Sequence, residues 1–143
     1  MKSVKDILRN KVSGIFTIVP NATVLTAIEL MAEKNIGSLL VMEGDKLVGI
    51  ITERDYSRKV ILAGKSSSNT LVKEIMTQKL VVIQPGSTIE ECMVLMIENS
   101  VRYLPVIEEG KAIGVISIGN VVNSIISEQN IVINNLQQYI MQG

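Results

Sequence analysis

Residues 17–55 align without a gap onto residues 82–120. Roughly a third of the positions are identical and many others exchange Ile, Val, Leu and Met, the mark of an internal duplication. The identities include Pro20/Pro85, Thr23/Thr88, Leu30/Leu95, Leu39/Leu104, Val41/Val106, Gly49/Gly114 and Ile51/Ile116. Upstream, Val4-Lys5-Asp6-Ile7-Leu8 resembles Val72-Lys73-Glu74-Ile75-Met76, with a three-residue difference in offset. The repeat is therefore about 60–65 residues long, and whatever fold it adopts is adopted twice. A unit of that size is small for an independent core, so the copies are expected to share an interface as one pseudo-symmetric module.

Each copy reads as the same order of elements. A short amphipathic helix (4–8; 72–76) leads to a short strand (16–19; 81–83) stopped by Pro20 or Pro85, which has no N–H for a ladder. A helix follows over 23–35 and 88–99, with Val24, Ala27, Ile28 and Met31, and again Ile89, Cys92, Met93 and Met96, on one face. Strands at 38–42 and 46–51, matched by 103–107 and 111–116, flank Glu43-Gly44-Asp45 and Glu108-Glu109-Gly110 as hairpins. A last helix begins near Glu53 and near Ile118. The class is α/β in the α+β sense, with repeat 1 at 4–63, a flexible-looking linker at 64–70, repeat 2 at 71–128 and a helical tail at 129–143. Ile126, Ile133, Leu136 and Ile140 give the tail region a heptad-like spacing, which predicts a further amphipathic helix packed on the module or on a second subunit.

Composition narrows the function. The chain has no His, which removes the commonest general acid–base and transition-metal ligand. Its single cysteine, Cys92, has no partner for an internal disulfide and no imidazole to activate it, so it reads as an inert core thiol in a reducing compartment. Fourteen Lys and Arg balance fourteen Asp and Glu, and aromatic residues are few. Nucleic acid is not expected as a partner. No run approaches the roughly 18 apolar residues of a membrane span, and the N-terminus lacks a secretory signal, so no membrane association and a cytoplasmic location are expected. No catalytic or metal-binding residues are assigned.

The sharpest local feature is the strand-to-helix junction, Gly49-Ile50-Ile51-Thr52-Glu53-Arg54-Asp55, against Gly114-Val115-Ile116-Ser117-Ile118-Gly119-Asn120. A hydroxyl followed three residues later by a carboxylate or amide is the pattern of a helix capping box. The same residues suit a nucleotide: a helix N-terminus and Thr52 can donate to phosphate, Arg54 can add charge-assisted bonds, and the Asp55 carboxylate suits vicinal ribose hydroxyls. Capping and binding do not exclude one another.

These residues resemble the tandem CBS-domain pair, the Bateman module. The resemblance runs from about Val4 to Glu128 and rests on the duplicated element order, Thr23-Val24-Leu25, Arg102-Tyr103-Leu104-Pro105-Val106 and the two junctions. It implies two repeats packed sheet to sheet about a pseudo-twofold axis, with clefts for adenosine compounds such as AMP, ADP, ATP, NAD or S-adenosylmethionine. It further implies a homodimer. Thr52 and Ser117 would face phosphate and Asp55 and Asn120 the ribose, with Arg54 and Arg102 as phosphate cations. Ile18, Val19, Ile36, Ser38, Ile83, Tyr103, Leu104 and Pro105 would line the clefts around the adenine. Arg58 and Lys59 are further phosphate candidates that a solvated helix face also explains, and Arg102 has an ion pair with Glu98 as its plainer role. In the second copy Asn120 replaces the acid and Gly119 the arginine, so the Asp55 cleft is expected to bind better.

The expected function is a regulatory, non-catalytic sensor of adenine nucleotides, AMP foremost, that signals to a separate effector protein or to its own oligomer. The alternative is a structural dimerisation module whose clefts have lost their ligand.

Overall fold

The computed structural model describes residues 2–10 and 14–142; Lys11–Ser13, within the first repeat, and Gly143, at the end of the expected tail, lie outside the described residues. The elements in order are α1 (Val4–Asn10), β1 (Thr17–Ile18), α2 (Val24–Lys34), β2 (Ser38–Glu43), β3 (Lys46–Thr52), α3 (Glu53–Tyr56), α4 (Val72–Ile75), α5 (Ile89–Asn99), β4 (Tyr103–Glu108), β5 (Lys111–Ser117) and α6 (Ile118–Gln142). They form two compact units that cut across the sequence repeats. The first unit is Gly14–Val81 with Glu108–Ile113; the second is Met1–Ser13, Val82–Ile107 and Gly114–Gly143. Each unit therefore takes its short opening helix from the leader of the other repeat: α4 belongs to the first unit and α1 to the second.

In the first unit β1 runs parallel to β2, with Thr17 opposite Leu40, and β2 pairs antiparallel with β3 from Ser38–Thr52 to Glu43–Lys46. The continuous run Ser38-Leu39-Leu40-Val41 is wholly buried, as a central strand covered on both faces requires. Val24, Ala27 and Met31 of α2 pack with Leu39, Val41 and Ile51, and Val72 and Ile75 of α4 complete that core. The face expected of the helix at 23–35 is the face it buries.

Local chemistry fixes the ends of α2. Thr23 is the N-cap, its hydroxyl accepting the Thr26 N–H at 3.2 Å, and Asn35 closes the helix in the left-handed conformation at φ 54°. The segment expected as a flexible linker is instead tied down here. Ser67 and Thr70 carbonyls accept the Leu25 and Val24 N–H groups at 2.9 and 2.8 Å, satisfying donors that a helix start leaves free. After α3 the chain widens into a π-helical turn over Ser57–Ile61, with Leu62 N–H donating to the Ser57 carbonyl at 3.0 Å. Gly64, at φ 70°, ends it.

In the second unit α5 is capped by Thr88 and Ser100, the counterparts of Thr23 and Asn35, and it buries Ile89, Cys92 and Met96. β4 and β5 pair as a two-stranded sheet. The strand expected at 81–83 is reduced to one parallel bridge, Ile83 to Val106. The cause is Pro105. At its counterpart in the first unit, Leu40 donates its N–H to the Phe16 carbonyl at 3.4 Å, and proline has no N–H to repeat that bond. The tail is not a separate helix either: Ile118–Gln142 is one helix of 25 residues, because no Pro or Gly stands between Gly119 and Gly143. All of 129–141 is exposed, so this stretch does not pack on its own unit.

Candidate functional site

The turn from β3 into α3 places Thr52 and Asp55 together. Thr52 has extended backbone and caps α3, its hydroxyl accepting the Asp55 N–H at 3.1 Å. The Asp55 carboxylate returns the contact, accepting at Oδ2 from the Thr52 N–H at 3.0 Å and from the Thr52 hydroxyl at 3.1 Å. This is the reciprocal capping box expected from the spacing.

Two further groups reach the carboxylate from outside the box. Lys59, one turn on, brings its ammonium to 3.0 Å from Oδ1. Thr77, just past α4, donates its hydroxyl to the same oxygen at 3.2 Å. The Lys59 ammonium also donates to the Ile75 carbonyl at 2.9 Å, an orphan acceptor at the end of α4. With Asp55 only 8% exposed, this is a nearly buried carboxylate whose charge is compensated by a half-exposed lysine. A sequence reading could propose Lys59 but not Thr77, because nothing in the chain reveals that the second repeat's leader folds onto the first repeat's junction.

The second junction keeps the box and loses the rest. Ser117 N–H donates to Asn120 Oδ1 at 3.0 Å, and Asn120 N–H to the Ser117 hydroxyl at 3.1 Å. In the alignment Ser124 stands where Lys59 stands and Arg9 where Thr77 stands. A cleft of about 220 Å³ lies beside Asn120, lined by Ile7 and Asn10 of α1 and by Asn123, Ser124 and Ser127 of α6, with Lys2.

The remaining expected site residues divide between the units. Thr52, Arg54, Asp55, Ile18, Val19, Ile36 and Ser38 lie in the first; Ile83, Arg102, Tyr103, Leu104, Pro105, Ser117 and Asn120 lie in the second. Ser38 is directly opposite Thr52 in the sheet register and is 8% exposed. Ile36 lines a cleft of about 250 Å³ with Ile28, Met31, Asn35 and Glu53, small for a whole nucleotide. Ile18, Ile83 and Leu104 are core side chains, whereas Val19 is 58% exposed. Arg54 and Arg102 are exposed, and among the described residues Arg102 forms no ion pair with Glu98. The helix starts themselves are occupied: Glu53 N–H donates to the Gly37 carbonyl and Ile118 N–H to the Arg102 carbonyl.

Cys92 is buried, and desolvation, with Glu91 nearby, pushes its thiol up to about 11. It is an inert group. Among the described residues no cluster of His, Cys, Asp and Glu could hold a metal ion, and no helix is long and apolar enough to cross a membrane.

The family model for the CBS domain matches residues 4–61 and 72–127. The chain is similar to the mitochondrial CBS domain-containing protein CBSX3 of Arabidopsis thaliana, 41% identical over 126 residues, 85% of this chain and 61% of that one. It therefore spans less than two thirds of that relative's length. It is 32% identical to the CBS domain-containing protein YhcV of Bacillus subtilis, covering 84% of this chain and 83% of that one. A solved structure of a protein with CBS domains from Burkholderia ambifaria superposes with a TM-score of 0.86 at 50% identity, covering 90% of this chain and 96% of that chain.

Proposed function

Because the chain belongs to the CBS-domain family, whose tandem pairs are commonly regulatory or signal-transduction modules, we propose that it is a non-catalytic sensor of adenine nucleotides, AMP foremost. The observation that carries this reading is the nearly buried Asp55 carboxylate, held by Thr52 at a strand-to-helix turn that recurs at Ser117 and Asn120. An acceptor-only carboxylate takes the two hydroxyls of a ribose, and the Thr52 hydroxyl and Arg54 serve the phosphate. In the first unit Val19, Ile36 and Ser38 furnish walls for the base beside Asp55; in the second, Tyr103 and Pro105 do so at the counterpart site, with Arg102 as its phosphate cation. Asn120 and Ser117 make the weaker counterpart. The signal is a differential affinity: a nucleotide stabilises whichever arrangement it prefers by its excess binding energy and no more. It passes to a separate effector chain or to a homodimer of this one, in the cytoplasm.

Thermal unfolding of the wild type and Asp55→Ala with AMP, ADP, ATP, NAD and S-adenosylmethionine tests the reading. A ligand at about 100 times its dissociation constant stabilises by roughly 2.7 kcal/mol, a shift of several degrees. The expected result is a rise for AMP that the substitution removes. The internal satisfaction of Asp55 favours a second reading, a structural interaction module in which the junction only caps a helix. A midpoint that no nucleotide moves makes that reading, or a cleft tuned to a ligand without adenosine, the better one.

A further inference from the structure

Asp55 has two oxygens with about four acceptor directions, and its own chain uses both. Oδ2 belongs to the capping box, held by the Thr52 N–H and hydroxyl. Oδ1, the oxygen outside the box, faces Lys59 at 3.0 Å and Thr77 at 3.2 Å. Lys59 is kept in that position by its second bond, to the Ile75 carbonyl, so its ammonium is oriented before any partner arrives. A ribose diol on Asp55 is met at Oδ1, because displacing the Thr52 N–H from Oδ2 would open the reciprocal half of the capping box.

We propose that Lys59 is a latch on Asp55, an internal competitor for the ribose diol that sets the affinity of this site for adenosine compounds. The inference rests on the reading that Asp55 holds a ribose. The two junctions support it by how they differ. Where the acid is replaced by Asn120, the cation is replaced as well, by Ser124, so carboxylate and competitor come and go together. The side chain of Lys59 is 45% exposed, which lets the ammonium swing into water and limits the strength of the pair. An exposed lysine reaching for phosphate alone would need neither the carboxylate contact nor the carbonyl contact.

Isothermal titration of wild type, Lys59→Met and Lys59→Gln with AMP and with adenosine tests the latch. Adenosine has the diol and no phosphate. Removal of the ammonium is expected to tighten both ligands alike, by about two- to fivefold, the range of a half-exposed ion pair. Weaker AMP binding with adenosine unchanged would assign Lys59 to the phosphate and overturn the latch. Unchanged affinity for both ligands overturns it too, while leaving the nucleotide reading intact. Absence of binding by either ligand to all three proteins removes the nucleotide reading and the latch with it. Lys59→Gln keeps a polar side chain at the Ile75 carbonyl, so the comparison survives if Lys59→Met does not fold.

Discussion

Leu8 lies against Gly114: a Cβ added at 114 would stand 2.7 Å from the Leu8 Cδ2. Met76 lies in the same way against Gly49, where a Cβ would stand 2.7 Å from its sulfur and 3.1 Å from the Thr77 carbonyl oxygen. The two glycines are one position of the repeat, and Leu8 and Met76 are one position of its leader. Both leaders are anchored alike, Val4 and Lys5 donating to the Ser87 and Pro85 carbonyls, Val72 and Lys73 to those of Ala22 and Pro20. The absence of a side chain at 49 and 114 is what lets each short helix dock on a strand of the other repeat's unit.

Gly49→Ala is therefore expected to cost more than Gly114→Ala. At 114 only the tip of a leucine must move, whereas at 49 the Thr77 backbone is also in the way. Overpacking of this kind costs about 1–3 kcal/mol, and Gly49→Ala should fall in the upper part of that range. Denaturant unfolding of both variants measures the order, and equal losses would show that the backbone contact is without consequence.

Thr52→Ala should destabilise by about 1 kcal/mol, whereas Thr52→Ser, which keeps the capping hydroxyl, should leave the cap intact. The comparison rests on Ser117, which makes the same reciprocal bonds to Asn120 that Thr52 makes to Asp55. Chemical denaturation gives both numbers. A serine variant as unstable as the alanine variant would mean that the Thr52 methyl, not the hydroxyl, matters.

Much of this was legible in the chain because it depends on local chemistry repeated twice. The repeated Thr23 and Thr88 mark where the two long helices begin, the spacing of Thr52 and Asp55 announced the capping box, and the apolar face Val24, Ala27, Met31 announced the core. What stayed hidden was long-range. The alignment places Val72–Met76 with the second repeat, yet its side chains complete the first unit, since a sequence repeat says which segments are alike and not which segments touch. Thr77 on Asp55 was invisible for that reason. The loss of the strand at 81–83 was readable in principle from Pro105, whose missing N–H matters only once its parallel neighbour is known.

Cys92 should resist a neutral thiol reagent until the protein unfolds. Its pH dependence follows from burial. The thiol is raised from 9.0 to about 11 in the fold, so between those values the unfolded chain gives up a proton that the native chain keeps. The stability contributed by the neutral buried thiol is intact below about pH 9 and falls as pH rises toward 11. The thermal midpoint of the wild type should therefore drop more steeply across that window than that of Cys92→Ala, which starts lower because it leaves a cavity. Parallel slopes for the two proteins would show that other groups govern the alkaline limb.

A chain ended after Glu128 should match the unfolding free energy of the 143-residue chain within about 0.5 kcal/mol, and so nearly its midpoint, when both are measured at low protein concentration. Glu128 accepts the Lys2 N–H at 3.1 Å and so still ties α6 to the start of α1. Beyond it every residue through Met141 is exposed, including Ile133 at 50%, Leu136 at 56% and Ile140 at 74%, and none contributes to the core. A helix end without tertiary packing or charged side chains has little to hold it, so its loss removes little. At high concentration the two proteins should diverge if a second copy covers these side chains, because association then adds to the stability of the full-length chain alone. Measuring the midpoint across roughly a hundredfold range of concentration reads both behaviours in one series. A large deficit in the truncated chain at the lowest concentration would mean instead that the last turns support their own unit.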